Sequence, residues 1–364
     1  MFIDEIKLIN FRNYESLKVR LSPKLNIIAG ENAQGKTNLL EAIFLCTFGR
    51  SHRTSRDEQL IKWDSPAAYA AVNVVSPFGK TLIEYKQRVK EPKTMHVNGT
   101  RLGRIGDLMG HIRSVMFSPE TLDIVKGSPE DRRRFMDMAI SQLYPAYFFK
   151  LSAYNKALKQ KNALLRPDSG VIDTASMYVF NAQLAGRGAE VMRYRREFIK
   201  ELDIHASKLQ LQISKGRDFL RLSYAPSLGE AFDDETAFLD MLEKSLQDDI
   251  RRGFTGKGPH RDDIRIMLDD QDMRSFGSQG QQRTAALSMK LSEVPVIRAA
   301  HEDAPVLLLD DVFSELDGLR RRELLLAMKY CQCILTTTSL DGIGDLNLPD
   351  TRVFYVKSGM VEYL

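Results

Sequence analysis

Eight consecutive residues, Gly30-Glu31-Asn32-Ala33-Gln34-Gly35-Lys36-Thr37, place two glycines, a lysine and a hydroxyl at the spacing G-x-x-x-x-G-K-[ST]. The glycines let the backbone curl so that successive N–H groups point inward, and such a nest accepts phosphate oxygens. A lysine at this place reaches the β- and γ-phosphates, and the next hydroxyl holds Mg²⁺. The expected nucleoside triphosphate cradle is therefore Gly30, Glu31, Asn32, Ala33, Gln34, Gly35, Lys36, Thr37 and Asn38. Much further along, Asp310-Asp311 closes the apolar run Val306-Leu307-Leu308-Leu309. Asp310 is the expected second Mg²⁺ ligand, acting through water, beside the direct ligand Thr37. Asp311, one residue on, would lie near the γ-phosphate and polarise an attacking water. Paired acids also occur as plain strand-end turns, and the glycine loop upstream is what favours the catalytic reading of Lys36 and Asp311.

Defined elements must deliver these residues to one place. Leu25-Asn26-Ile27-Ile28-Ala29 predicts a buried strand before the loop, and Asn38–Leu45 has the apolar spacing of a helix after it. That strand–loop–helix order is the context a phosphate loop requires. The four apolar residues before Asp310 predict a parallel strand covered on both faces. Residues 2–8 and 16–20 alternate as two edge strands. Between 67 and 102, strands Ala70–Val75 and Thr81–Val89 flank Pro77-Phe78-Gly79, and Asn98-Gly99 is a hairpin dipeptide. Val115–Phe117 is a short strand closed by Ser118-Pro119-Glu120.

From about 121 the pattern turns helical. Pro129-Glu130-Asp131 opens a helix whose spacing continues through Leu165, and Arg166-Pro167-Asp168-Ser169-Gly170 breaks it. Met177, Leu184, Val191 and Phe198 stand seven apart, which suits a helical arm and is too short a repeat for a coiled coil. Residues 234–252 predict one more helix. Residues 253–282 are glycine-rich and charged around a strand at Ile264–Leu268, and a helix runs from Thr284 to about Val294. Helix 318–330, strand Cys333–Leu335 and a strand pair at 352–363 complete an α/β core.

Bulk properties narrow the class. The 364 residues are 43% hydrophobic and 27% charged, ordinary for a soluble globular chain with two or three cores. No apolar run approaches the ~20 residues that span a bilayer, so no membrane partner is expected. Met1-Phe2-Ile3-Asp4-Glu5 carries acids where a secretory signal carries bases, which argues against export. The three cysteines include Cys331-x-Cys333 in a strand-like segment and read as buried thiols of a reducing cytoplasm. A net charge of +4 permits nucleic-acid binding without demanding it.

Further blocks carry a resemblance. Ser278-Gln279-Gly280-Gln281-Gln282 resembles the signature motif of ABC-type ATPases, one helix before the Asp310 strand, and Ser314-Glu315-Leu316-Asp317 resembles their D-loop. In that class the signature of one subunit caps the γ-phosphate held by another. A serine and the N–H groups of a helix start can form such a second anion site. Ser278, Gln279, Gly280 and Gln281 are thus expected to act in trans, in an ATP-dependent homodimer. Within that class the chain resembles the RecF family of recombination-repair ATPases over nearly its whole length. The blocks are Asn10-Phe11-Arg12-Asn13-Tyr14, Gly30 through Ile43, Phe117-Ser118-Pro119-Glu120, Gly127 through Asp137, Gly258-Pro259-His260-Arg261-Asp262-Asp263, Ser278 through Arg283, and Leu307 through Asp317.

This resemblance implies an α/β fold, an ABC-type P-loop ATPase head with an antiparallel β layer and an inserted, mainly helical arm. Residues 1–120 would be the first part of the ATPase domain, 121–252 the arm, and 253–364 the second part, with signature, Asp310 strand and the D-loop acid Asp317. It implies ATP and Mg²⁺ as cofactors and weak, DNA-dependent ATP hydrolysis in the cytoplasm. It also implies binding of DNA, both duplex and single-strand/duplex junctions, at gaps and stalled forks. RecA loading with RecO and RecR, DNA replication and the SOS response follow from the same likeness. Two positions depart from the wider ABC pattern. Asp311 stands where transporters carry glutamate, and Thr336-Thr337-Thr338-Ser339 offers hydroxyls where a switch histidine is usual. Both suit slow turnover.

The motor subunit of a membrane transporter shares the loop, signature and paired acids, but has no need of residues 121–252. A phosphate-loop kinase would leave the signature block unexplained. His260 has no second ligand at metal spacing and reads as a hydrogen-bonded loop histidine. Arg132–Arg134 and Arg193-x-Arg195-Arg196 are candidate DNA contacts or solvated faces neutralised by Glu130, Asp131, Glu190 and Glu197. The basic stretch Gly49–Arg56 reads equally as a connector or a phosphate contact. Tyr144, Tyr147, Phe148, Phe149 and Tyr154 read as core.

Overall fold

Contacts divide the chain into two units, one formed by residues 1–121 with 290–364 and the other by 122–289. The computed structural model describes residues 1–166, 174–229, 234–340 and 350–363, without the side chains of Thr174, Ser314 and Glu315. From the amino end, β1 (Phe2–Phe11), β2 (Tyr14–Arg20) and β3 (Leu25–Ala29) lead into α1 (Lys36–Phe48). Then come β4 (Ala67–Ser76), β5 (Gly79–Arg88), β6 (Thr94–Val97), β7 (Thr100–Arg101) and β8 (Ser114–Phe117). The second unit supplies α2 (Asp123–Lys126), α3 (Pro129–Leu143), α4 (Pro145–Leu164), α5 (Thr174–Ile213) and β9 (Leu220–Ala225). It continues with α6 (Glu235–Lys244), α7 (Leu246–Arg252), β10 (Asp263–Leu268), β11 (Gln271–Asp272) and α8 (Met273–Phe276). Finally α9 (Gln279–His301) is followed by β12 (Val306–Asp310), α10 (Gly318–Met328), β13 (Cys333–Thr337), β14 (Thr351–Lys357) and β15 (Met360–Tyr363).

The first unit holds two six-stranded sheets, ordered β2-β1-β4-β5-β6-β7 and β15-β14-β3-β13-β12-β8. The first is antiparallel throughout. In the second, β14, β3, β13, β12 and β8 run parallel. Every residue of β3, β12 and β13 is buried, as a parallel strand covered on both faces demands. Helix α1 touches β4 and β5 of one sheet and β8, β12 and β13 of the other. A helix so enclosed must be apolar nearly all round, and Leu39, Leu40, Ala42, Ile43, Leu45 and Cys46 are all buried. Gln332 ties the layers together, donating to the Ile3 and Ser22 carbonyls and accepting from the Ile3 N–H. Asn98 and Gly99 both take positive φ, 50° and 80°, so the hairpin dipeptide makes the turn it signals.

In the second unit, α3, α4, α5 and α6 pack on one another and on a three-stranded sheet ordered β11-β10-β9. Met177, Leu184, Val191 and Phe198 are all buried along the 40-residue α5. The helical run to Leu165 is divided in the structure. It breaks at Tyr144, which is extended, because Pro145 cannot continue a helix. The single helix foreseen at 234–252 is likewise two, α6 and α7, meeting at Ser245. The strand β9 lies between Phe198 and residue 234, a part of the mainly helical arm where no individual element was expected, and it pairs in register with β10 from Asp263↔Ala225 to Leu268↔Leu220. That pairing carries residues 253–289 into the unit of the helical arm, so no unit boundary falls at 252/253. Pro167–Gly170, the expected break, lies outside the described residues.

Candidate nucleotide-binding site

The loop begins where β3 stops. Gly30 takes φ 153°, and a Cβ there would lie 2.4 Å from the Val356 carbonyl oxygen on neighbouring β14. Gly35, at the start of α1, takes φ 120° and would press a Cβ into the Asn13 amide at 2.6 Å. Ala33 between them is left-handed at φ 64°. These turns curl the backbone into a nest at the amino end of α1, whose first turn carries no acid to screen its positive end. Lys36, only 7% exposed, folds across the loop and donates to the carbonyls of Gly30 at 2.6 Å and Glu31 at 2.8 Å. Burial lowers the pKa of its ammonium, and the carboxylates of Asp311 and Asp310 oppose that shift.

The acids arrive from the adjacent strands. Parallel register sets Asp310 opposite Thr336, and Thr337 opposite Ala29, so β13 stands between the loop strand and the acid strand. Thr37 Oγ1 donates to Asp310 Oδ1 at 2.8 Å. Thr336 Oγ1 donates to the same oxygen at 2.8 Å, and among the described residues no hydrogen bond reaches Asp310 Oδ2. A hydroxyl and a carboxylate side by side, with one oxygen unspent, are the hard donors that Mg²⁺ takes. Asp311 follows in the left-handed region, φ 54° and ψ 21°, with its N–H donated to Thr336 Oγ1 at 2.9 Å.

Several residues brace the loop in ways that the sequence did not specify. Asn13, at the β1–β2 turn, donates to the Gln34 carbonyl at 2.7 Å and accepts from the Asn38 amide at 2.8 Å. Tyr14 donates its hydroxyl to the Gly35 carbonyl at 3.0 Å. Gln34 Oε1 accepts the Ser358 N–H at 2.6 Å, which ties the β14–β15 turn to the loop. Asn38, expected in the cradle, spends its side chain on Asn13 and on Arg53, whose guanidinium donates to it at 2.8 Å. Glu41, fully buried on α1, receives a two-pronged bond from Arg12 at 2.7 and 2.8 Å. Burial would raise its pKa, but bonds from Arg12 and Ser51 and the Arg12 charge outweigh it and leave it lowered. The stretch Gly49–Arg56 is thereby partly anchored, with Ser51 buried and Arg53 drawn towards α1. Block 10–14 of the sequence signalled this bracing by position only.

The signature residues lie in the other unit. Ser278, Gln279 and Gly280 are exposed at the start of α9. Ser278 Oγ accepts the Gln281 N–H at 3.3 Å, and Gln281 Oε1 accepts the Ser278 N–H at 3.0 Å, a reciprocal cap that leaves the helix end facing solvent. Asp317 caps α10, accepting the Arg320 N–H at 3.0 Å. His260 bonds the Tyr154 hydroxyl at 2.7 Å and the Thr255 carbonyl at 2.9 Å, as a structural histidine does. The arginine clusters are only partly surface. Arg132 makes a two-pronged pair with Asp263 at 2.6 and 2.8 Å, and Arg133 donates to the Asp262 carbonyl. Arg195, 1% exposed, is enclosed by Asp137, the Tyr147 hydroxyl and the Pro259 carbonyl. Their partners are distant in sequence rather than the helical neighbours foreseen, so Arg132 and Arg195 are structural. Tyr147 and Tyr154 are core, while Tyr144 is 43% exposed. All three cysteines are buried and free. Among the described residues no group of three or more His, Cys, Asp or Glu could hold a metal, and no helix is long and apolar enough to cross a membrane.

The family model for the RecF/RecN/SMC N-terminal domain matches residues 2–343. A protein of Alkaliphilus oremlandii named DNA replication and repair protein RecF is 40% identical over 367 residues, covering 100% of both chains. A solved structure of the recombination mediator protein RecF with ATP is 36% identical, with a TM-score of 0.92 and cover of 100% of this chain and 97% of that one. An SMC head bound to a winged-helix domain of ScpA is 17% identical at a TM-score of 0.60, a likeness of fold alone. With the family model spanning most of its length and its relatives matched end to end, the chain belongs to the RecF family of DNA replication and repair proteins.

Proposed function

We propose that the chain is an ATP-gated DNA-binding switch of recombinational repair and replication-fork maintenance, working as a homodimer with slow hydrolysis. The observation that carries this reading is the Thr37–Asp310 bond at 2.8 Å, which joins the phosphate loop to the acid strand beside a buried lysine. The loop N–H groups and the α1 start bind the phosphates, and Lys36 exchanges its carbonyl partners for β- and γ-oxygens. Thr37 and Asp310 would hold Mg²⁺, which supplies charge neutralisation on those oxygens. Asp311 orients a water for in-line attack on the γ-phosphorus and takes its proton; ADP leaves with the electrons of the broken P–O bond. Residues 1–121 with 290–364 act as the ATPase head, and 122–289 as the arm that carries Ser278, Gln279, Gly280 and Gln281 to the nucleotide of a second copy. Asp317 lines that junction.

The relatives' printed names, a DNA replication and repair protein and a recombination mediator of the RecFOR pathway, support a role in DNA repair. To that the proposal adds the cytoplasm, gaps and junctions of single and double strand, and RecO, RecR and RecA-type proteins as partners. A transporter motor gains no support from them. The test is the rate of ATP hydrolysis with and without DNA, beside equilibrium ATP binding. Binding with DNA-stimulated, slow hydrolysis is expected. A chain that binds no ATP, or hydrolyses it quickly and regardless of DNA, overturns the reading.

A further inference from the structure

We infer that Thr336 is a positioning residue for hydrolysis, its hydroxyl locking the Asp310 carboxylate and the backbone turn that presents Asp311 into one assembly. The inference rests on the nucleotide reading above and adds a residue with no part in the loop, signature or paired-acid motifs. β12 ends at Asp310, directly opposite Thr336 of β13. At Asp311 the chain enters the left-handed region, which residues other than glycine usually avoid. The Asp311 N–H is held by the Thr336 hydroxyl at 2.9 Å. A side-chain oxygen thus accepts an N–H just where the regular strand ends, and the backbone is free to turn.

The same hydroxyl has one proton to give. It lies 2.8 Å from Asp310 Oδ1 and 3.4 Å from the Leu309 carbonyl, so the carboxylate takes it. One atom therefore accepts from the backbone of the proposed base and donates to the side chain of the proposed metal ligand. With Thr37 donating to the same Oδ1, the Asp310 carboxyl is fixed by two donors on two elements, both spent on one of its oxygens. Thr336 is fully buried, so no water stands in for its hydroxyl. Partners that orient metal-ligating carboxylates act in this way, and removing them costs roughly 10–100-fold in metal affinity or activity.

The experiment compares the unmutated chain with Thr336→Val, which keeps the shape and loses the hydroxyl, and Thr336→Ser, which keeps the hydroxyl. The readouts are binding of a fluorescent ATP analogue with Mg²⁺ and with a chelator, kcat and KM for ATP, and the thermal midpoint. For Thr336→Val the chelator-state binding should match the unmutated chain. The gain in affinity from Mg²⁺, and kcat, should fall roughly 10–100-fold, with KM for Mg-ATP rising as the Mg²⁺ contribution to binding is lost. Thr336→Ser should recover most of both. Parental kcat and Mg²⁺ dependence in Thr336→Val overturn the inference, as does a serine variant impaired as badly as the valine. Should the valine variant fail to fold, Thr336→Ala is read in its place by the same criteria. An unmutated chain that binds no ATP overturns the nucleotide reading and this inference together. Binding and hydrolysis that ignore the valine substitution overturn this inference alone.

Discussion

At the scale of single residues, the candidate site is a set of buried charges, each held by more than one neighbour. Lys36 is the clearest case, a buried ammonium held by two carbonyls and attracted by two carboxylates. Lys36→Ala removes the only side chain that the loop motif aims at the β/γ-phosphates, so ATP binding should be lost in an equilibrium assay. Undiminished binding would remove the loop from the site. Lys36→Arg should bind better than the alanine variant yet hydrolyse poorly, because a planar guanidinium cannot occupy the same point. Asp311→Asn keeps Thr37 and Asp310 intact and removes the acceptor for the water's proton. It should bind ATP normally, block hydrolysis and accumulate an ATP-bound dimer; hydrolysis at the parental rate would place the base elsewhere.

At the scale of elements, the loop works because strands and turns press on it. A methyl group at position 30 would strike the Val356 carbonyl of β14 at 2.4 Å, in a backbone region that L side chains rarely adopt. Gly30→Ala should therefore weaken ATP binding strongly while the second unit keeps its melting transition; calorimetry alongside nucleotide titration reads both. In that second unit, the loop before β10 is pinned by His260, between the Tyr154 hydroxyl and the Thr255 carbonyl. Burial lowers its pKa from 6.5 to about 4, with Arg261 and Arg133 adding to the shift while the Thr255 bond and Asp249 oppose it. Between those values the unfolded chain takes a proton that the folded loop refuses. Its contribution is thus fully present above about pH 6.5 and is lost as pH falls towards 4, with a slope of at most about 1.4 kcal/mol per pH unit. Urea midpoints across that window should fall with acid, and His260→Gln should flatten the fall. An equal slope in the variant would assign the acid sensitivity to other groups.

At the scale of the whole molecule, each chain carries a phosphate loop and an exposed signature turn, and the proposed function needs two copies. Arg132 and Arg195 are committed to internal pairs, so neither arginine cluster offers its full charge to DNA. Two copies closing on ATP would double whatever phosphate contacts one copy makes. DNA affinity should then rise with ATP and become more salt-dependent, by a log K slope of about −0.9 for each added phosphate on duplex. Ser278→Arg should bind ATP normally, fail to dimerise and keep the nucleotide-free affinity for DNA, since a bulky cation fills the place of the γ-phosphate. Sedimentation with ATP and a DNA titration at two salt concentrations measure this. A variant that dimerises normally, or an unmutated chain whose DNA affinity ignores ATP, would sink the coupling.

What the sequence determined by itself was the local chemistry. Strand β3, the loop and α1 follow from an apolar run, two glycines and a helical period, all within 24 residues from Leu25 to Phe48. The buried run before Asp310 and the hairpin at Asn98-Gly99 were legible for the same reason: short-range sterics and burial set them. Long-range pairing was not legible. Nothing near residues 220–225 announces that they will join β10, nothing beside Arg195 shows that it will be buried against Asp137 and Pro259, and only the register of β12 on β13 brings Thr336 between the two acids. Such contacts join residues tens of positions apart or more. Their partners are chosen by how whole layers pack, so only the tertiary structure decides them.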